Sequence, residues 1–518
     1  MKYIEAFEKT AHRHRTDVAL VTEHGDSLTY EELDEKATAL ASFLNDQIGD
    51  HRLGTLASNS DTAIVSMLAS MKRGRANIQL QSRLEKETLC DMSSSTNMGA
   101  LLFDDNNIKK AIKIIDAQGI SLGIHAGKKK TGHKHVVDYG DLMSEKPTRE
   151  PETIGDEYGI FYTSGTTATP KAVLFDQEKM WLGSTQAIME MGIDRRDRGL
   201  VISPWYHMVT NNAWILPHLQ VGATLVLHSK FDPNHTLSAI ARHDITGLLA
   251  VPTQLDMLVE RQRNQQYNIS SLQHIRTGGA VLTQELVERV SEQLTDQVYN
   301  TYGLTEGGAN LTFSDPEMQR RSPGTVGQAS YMWEIRVVKV SSPNEHPDPE
   351  NTVGSGEIGE ILARSPAMSE GYLNNTEQTD QLFVDRWLRP GDIAKVDESG
   401  RIFVIDRIDN MIISGGKNIY PEEVESVLRK HKQVDDCAVL GIDDKRWGEK
   451  VVALITADQN EITAAELDRF CKQDSELADY KRPREYLITA TAIPRTDTGT
   501  IDRNKAEKIF DQESPISV

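Results

Sequence analysis

Between residues 158 and 305 the chain alternates short apolar runs with amphipathic stretches, and this pattern limits the possible folds more than any other feature. Residues 158–162 (Tyr-Gly-Ile-Phe-Tyr), 222–228, 245–251, 274–276 and 297–300 read as strands. Residues 233–243, 253–263 and 284–294 read as helices, the first with Pro233 near its start. Strands at this spacing with intervening helices predict parallel βαβ units, with ligands bound at the carboxyl ends of the strands. The fold class is therefore α/β. A chain of 518 residues is too long for one core, so two or more domains are expected.

The flanking segments fill in this plan. Residues 17–30 read as a hairpin turning at His24-Gly25-Asp26. Thr29 and Glu32 then have capping-box spacing ahead of a stripe of Leu33, Ala37, Leu40, Leu44 and Ile48. Another helix is predicted at 61–73, and short strands at 101–103, 121–125 and 135–138. Residues 326–340 and 356–364 read as strands of a β subdomain over about 322–406, with a Pro- and Asp-rich exposed loop at 341–350. Past Asp406 the pattern becomes a small α+β unit, with a helix opening at Pro421 and strands at 436–441 and 451–456. The expected division is residues 1–406, a hinge at 407–410 and a C-terminal domain at 411–518.

Composition excludes several classes. A net charge of −20 argues against a nucleic-acid binder, and any anionic substrate must be held by local cations and N–H groups. The three cysteines, Cys90, Cys437 and Cys471, form no C-x-x-C pair, so neither a zinc cluster nor a disulfide framework is expected. The N-terminus lacks the apolar core of a signal peptide and no run approaches the length of a membrane span, which makes a cytoplasmic location the default.

Tyr162-Thr163-Ser164-Gly165-Thr166-Thr167-Ala168-Thr169-Pro170-Lys171 follows the first strand of the run. Its hydroxyls, backbone N–H groups and closing lysine are what a polyphosphate needs, although a polar surface turn has the same residues. It is not a Walker A loop, whose spacing is absent. Gly354-Ser-Gly-Glu-Ile-Gly359 matches G-x-G-x-x-G but leads into a strand, and Gly119-Ile-Ser-Leu-Gly123 matches G-x-S-x-G in a helix-to-strand context; both are discarded. Asn300-Thr301-Tyr302-Gly303-Leu304-Thr305-Glu306 ends another strand. There Tyr302 can stack on a base, Asn300 can bond its edge, and Glu306 can hold Mg²⁺. Arg276-Thr-Gly-Gly279-Ala280 is a second glycine-rich strand end, either a pocket floor or a tight turn. Asp392 and Arg407 suit a ribose, or a surface ion pair.

The stretches 162–171, 300–306, 389–410 and 411–422 together resemble the adenylate-forming superfamily of acyl- and aryl-CoA synthetases, luciferases and peptide-synthetase adenylation domains. The likeness runs over essentially the whole chain. It is nearest to the 4-chlorobenzoate:CoA ligase type, through Tyr206-His207, Val251-Pro-Thr-Gln-Leu-Asp256, Arg446-Trp-Gly448 and Glu476-Leu-Ala-Asp-Tyr-Lys-Arg-Pro483. The resemblance implies a large N-terminal domain of mixed and parallel sheets flanked by helices, and a small C-terminal domain that turns about a hinge at Asp409. It implies ATP, Mg²⁺ and CoA as co-substrates, no prosthetic group, a small carboxylic acid as partner, and a possible homodimer. Thr163, Ser164, Gly165, Thr166, Thr167 and Lys171 would hold the phosphates, Glu306 the metal, and Asp392 and Arg407 the ribose. Gly279, Ala280, Asn300, Thr301, Tyr302, Gly303 and Thr305 would complete the nucleotide site. Gly415 and Gly416 would line the pantetheine tunnel, and Trp447, Tyr480 and Arg482 would receive the CoA nucleotide.

His207 would border the acyl pocket and help place the carboxylate. The pocket candidates Leu182, His207, Met208, Val209, Ala250, Gly279, Ala280, Gly303 and Gly308 are apolar or small, which implies a neutral acyl body: a substituted benzoate or a medium-length fatty acid. Two positions depart from the family pattern. The C-terminal loop usually carries a lysine in P-[KR]-T-x-x-G-K-[IV], whereas Pro494-Arg-Thr-Asp-Thr-Gly499-Thr500-Ile501 has Thr500 there. Ala168 stands where glycine is common. The rivals are an enzyme that loads a carrier-protein thiol, although no carrier domain follows residue 518, and a weakened or non-catalytic binder of acyl-adenylate or CoA, suggested by Thr500.

Overall fold

The computed structural model describes residues 1–144, 150–163, 170–308, 310–341, 345–458, 461–475, 477–495, 501–512 and 515–518. Its contacts divide the chain into two compact units: Met1–Ile335 with Ala363–Leu388, and Arg336–Leu362 with Arg389–Val518.

The larger unit holds two seven-stranded sheets. One runs Val298–Thr301, His274–Gly278, Gly247–Leu249, Arg198–Val201, Thr224–Leu227, Val18–Thr22 and Ser27–Thr29, parallel except for the last hairpin. The other runs Val136–Asp138, Leu122–Ala126, Met98–Asp104, Arg52–Leu56, Asn77–Gln79, Glu157–Thr163 and Lys171–Asp176. The capping box forms as read: Thr29 Oγ1 accepts from the Glu32 N–H and the Glu32 carboxylate accepts from the Thr29 N–H. Leu33, Ala37, Leu40, Leu44 and Ile48 are all buried in the largest core cluster.

Two expectations are corrected. The alternation from 158 to 305 is not one parallel run. Its first strand belongs to the second sheet and returns antiparallel as Lys171–Asp176, with Thr163 opposite Lys171. Periodicity identifies a strand, but not its sheet. The stretch 326–340 yields only Gln328–Ala329 and Glu334–Val338, because the turn between them packs Trp333 into a small core with Leu311, Ala363 and Leu388.

An ion pair ties the second sheet together. Glu157 accepts from Arg52 Nε (2.9 Å) and Nη2 (2.5 Å) and from the Ala76 N–H (2.9 Å). Burial alone would raise the Glu157 pKa, but these hydrogen bonds and the charges of Arg52 and Arg75 hold it below the ordinary value. A depressed folded-state pKa gives stability that is complete above the unfolded value of about 4.3 and fades as pH falls through the folded one. Arg52→Ala leaves the half-buried carboxylate with only the Ala76 N–H and the more distant Arg75, and is expected to cost about 3 kcal/mol at pH 7, and progressively less as pH falls through the lowered Glu157 pKa. Urea titrations at neutral and acid pH check this; equal losses would show that charge plays no part.

In the smaller unit, Ile358, Gly359 and Glu360 pair with Asp392–Val396, which pairs antiparallel with Ile402–Arg407. A further sheet contains Asp436–Asp444 against Gly448–Thr456, with Glu485–Thr489 parallel to the latter. The helices Pro421–Leu428 and Ala464–Gln473 contribute Val424, Val427, Leu428, Leu467 and Cys471 to its core. Pro421 occupies the first turn of its helix, where the missing N–H costs nothing.

Candidate active site

Four neighbouring strands of the first sheet end at one edge. The loop after Val298–Thr301 carries Tyr302–Glu306, and the one after His274–Gly278 carries Gly279 and Ala280. Ala250 follows Gly247–Leu249, and Tyr206 and His207 follow Arg198–Val201. Parallel strands place all these loops on the same side, which is where ligands bind in such sheets. Gly279 has φ +80°, a left-handed conformation open to glycine at little cost. Asn300 is buried, and its Nδ2 donates to the Thr325 carbonyl at 3.1 Å. Thr301 Oγ1 donates to the Thr277 carbonyl, and Thr305 opens a 3₁₀ turn that ends at Gly307. Tyr302 packs with Leu304 on the Trp333 cluster, Met208 is buried, and Leu182 and Val209 are half-buried. Ala250 is buried among Leu248, Leu255 and Ile275.

Lys171 and Glu306 meet through Tyr372, a residue that sequence reasoning passed over. Tyr372 pairs across from Val173, and the Leu373 N–H donates to the Ala172 carbonyl, so this segment extends the edge that begins at Lys171. The Tyr372 hydroxyl donates to Glu306 Oε1 at 2.5 Å, and Lys171 Nζ lies 4.9 Å from the centre of the Tyr372 ring. Glu306 itself is buried, at 7% exposure. A cavity of about 360 Å³ is bounded by Tyr162, Pro170, Lys171, Tyr372, Asn374 and Gln378, with Asp91 also on its wall. Ser164, Gly165, Thr166, Thr167 and Ala168 lie outside the described residues, as does Thr500.

In the smaller unit Asp392 and Arg407 stand opposite each other on adjacent strands, with Nη1 3.3 Å from Oδ1. Asp409 is exposed on the 3₁₀ turn Ile408–Asn410, 3.5 Å from Arg407 Nη2. The Gly415 N–H donates to the Trp447 carbonyl, and a Cβ on Gly415 would sit 3.0 Å from the indole. Gly415 and Gly416 both have positive φ. Trp447 is 44% exposed and Tyr480 38%, so each keeps an open face, with Lys417 Nζ 4.0 Å from the Tyr480 ring centre. Arg482 is buried and held by Asp468 and Asp479.

Four more polar residues are buried in the larger unit: Gln186, Asn212, Arg276 and Asn310. Arg276 Nη1 donates to the Ala213 carbonyl at 3.1 Å. Burial pushes its guanidinium down to about 10, with the Glu190 carboxylate acting the other way, so it stays charged at neutral pH. Gln186 lies on helix Gln177–Met191 and Asn212 on the turn Asn211–Ile215, neither within a recognisable motif, so nothing local marked them.

The family profile of AMP-binding enzymes matches residues 7–373, and that of AMP-binding enzyme C-terminal domains matches residues 423–500. The chain is 30% identical over 490 residues to a feruloyl-CoA synthase from an Amycolatopsis species, with 94% of each chain covered. It is 30% identical over 509 residues to a 4-chlorobenzoate–CoA ligase from an Arthrobacter species, covering 95% of this chain and 92% of that one. The structure of o-succinylbenzoate CoA synthetase from Bacillus subtilis in complex with an acyl-adenylate intermediate matches with a TM-score of 0.82 at 27% identity, over 97% of each chain. Among the described residues no helix is long and apolar enough to cross a membrane.

Proposed function

Because the chain belongs to the AMP-binding enzyme family, we propose that it activates an aryl-substituted carboxylic acid with MgATP and passes the acyl group to CoA. In the first half-reaction an acid oxygen bonds to the α-phosphorus of ATP and the bond to the β-phosphate oxygen breaks, releasing pyrophosphate. In the second the CoA sulfur, its proton lost to solvent, bonds to the acyl carbon and AMP leaves. The observation that carries this reading is that Lys171 and Glu306 both contact Tyr372, one over its ring and the other at its hydroxyl. A cation and a buried carboxylate that share one neighbour suit a phosphate chain and its metal.

Glu306 is a single hard-oxygen donor, and Mg²⁺ favours one or two carboxylates plus phosphate oxygens and waters, so the residue suits the ion. Magnesium, when bound, supplies charge that neutralises phosphate oxygens. The chain's own part is to position: Lys171 and the hydroxyls of 163–167 on the β- and γ-phosphates, Asp392 and Arg407 on the ribose, and His207 beside the acid's carboxylate. Gly415, Gly416, Trp447, Tyr480 and Arg482 take the CoA side, and the part beyond residue 410 turns about Asp409 between the half-reactions. The aromatic relatives named above support an aryl acid over a fatty one, and a cytoplasmic location suits these substrates.

A panel of aryl and medium-chain acids, scored for pyrophosphate release with and without CoA, tests the reading; release without any acid dependence would defeat it. A finer test concerns Tyr372, which fixes one oxygen of Glu306. Tyr372→Phe is expected to raise the Mg²⁺ concentration for half-maximal pyrophosphate release about tenfold, with the rate at saturating Mg²⁺ largely kept. An unchanged Mg²⁺ dependence would show that the hydrogen bond does not orient the carboxylate.

A further inference from the structure

Three buried amide side chains line one cleft of the larger unit. Gln186, Asn212 and Asn310 line it with Gly308, Trp333 and Ala367. Gln186 and Asn212 are 1% exposed and Asn310 5%. Their nitrogens set the orientations of the first two: Asn212 Nδ2 donates to the Gly308 carbonyl at 2.7 Å, and Gln186 Nε2 donates to the Asn310 carbonyl at 3.3 Å. Asn212 Oδ1, Gln186 Oε1 and Asn310 Oδ1 then have no hydrogen-bond partner among the described residues.

The neighbouring amide, by contrast, is satisfied on both sides. Asn211 accepts from the Tyr158 hydroxyl through Oδ1 and donates from Nδ2 to the Trp205 carbonyl at 3.3 Å. Both asparagines lie on the π-helical turn Asn211–Ile215, a rare conformation that recurs at functional sites. Helix Gln177–Met191 carries Gly183 where a Cβ would come 2.3 Å from Asn212 Nδ2, so the glycine lets this amide lie against the helix. Buried acceptors without donors destabilise a fold, and three around one cleft call for a ligand that brings donors. The cleft is tight and contains no free water-sized volume, so an occupant enters as its side chains shift.

We infer that this cleft is the far end of the acyl pocket, and that the preferred acid carries a hydroxyl at the end remote from its carboxylate. The inference rests on the ligase reading, which places Leu182 and Gly308 in the acyl pocket; Leu182 adjoins Gly183 and Gly308 lines the cleft. An apolar terminus would leave all three oxygens unpaired, and a terminal carboxylate would be repelled by them. A hydroxyl donates to one oxygen, and a second hydroxyl beside it reaches another.

The test compares 4-hydroxybenzoate with benzoate and 4-methoxybenzoate, and 4-hydroxycinnamate with cinnamate and 4-methoxycinnamate. For acid-dependent pyrophosphate release, kcat/KM is expected to favour the hydroxy acid by at least about tenfold over both analogues. Gln186→Met and Asn212→Leu should each bring that ratio to within about threefold of unity. Both acids are measured on the same protein, so incomplete folding of a variant cancels from the ratio. Preference for the unsubstituted or methoxy acid, or a ratio unchanged in both variants, overturns the inference and leaves the ligase reading intact. If no acid supports pyrophosphate release, the ligase reading fails, and calorimetric dissociation constants for the same pairs decide the inference: tighter binding of the hydroxy acids supports it, while equal or absent binding overturns it.

Discussion

Glu306→Gln lowers the rate of pyrophosphate release from MgATP by about a thousandfold, with the fold preserved. The amide matches the carboxyl in size, and its oxygen can still accept from the Tyr372 hydroxyl, so packing around this buried position is kept. Only the negative charge is lost. A unit charge about 4 Å from its partner is worth ~4 kcal/mol at an effective dielectric of 20. That corresponds to roughly three powers of ten in rate if the interaction is realised in the transition state. On the proposed role of Glu306 as the Mg²⁺ ligand, raising Mg²⁺ should restore part of the rate. Single-turnover measurements with the preferred acid over a range of Mg²⁺ check this, and a variant within threefold of the native rate would remove Glu306 from the reaction.

The second prediction has the opposite sign. Thr500→Lys raises pyrophosphate release at least tenfold, while thioester formation from supplied acyl-adenylate stays nearly unchanged. The family's lysine at this loop position bridges the acid's carboxylate and the phosphate during adenylation, and a threonine can offer one hydrogen bond but no charge. The same Coulomb estimate gives ~4 kcal/mol, so tenfold is a modest expectation. Acyl-adenylate supplied ready-made bypasses the step in which the two anions approach, which is why the second half-reaction serves as the internal control. If the two proteins release pyrophosphate at equal rates, another cation, such as Arg503 or Lys505, would have to act there. Arg503 is already engaged: its Nη1 donates to Glu425 at 2.6 Å and to the Val439 carbonyl at 2.8 Å.

Much of the architecture was legible from local pattern. Pro233–His243 coincides with its predicted bounds, because Asp232 caps the helix and Pro233 suits its first turn. Thr29 and Glu32 could be paired on paper because a capping box is complete within four residues. The glycine-rich decoys were separable for the same reason: Gly119 ends a helix in the left-handed conformation at φ +63°, and Gly359 lies inside a strand. The loops at the carboxyl ends of the first sheet followed from strand–helix alternation.

What lay beyond reach was everything that depends on distant neighbours. Strand identity at 157–163 could be read, but its membership of the second sheet and its antiparallel return could not, since pairing partners lie far away in the chain. Tyr372 sits 66 residues from the carboxylate it holds, and no spacing rule links them. Residue identities and short-range order thus specified which helices and strands form and which chemical groups are available: a lysine, a carboxylate, hydroxyls and a row of amides. Only the packed chain revealed that Lys171 and Glu306 share one aromatic ring, and that Gln186, Asn212 and Asn310 keep oxygens without donors. Whether a buried polar atom is satisfied depends on every group folded around it, and that set is defined only once the chain has closed on itself.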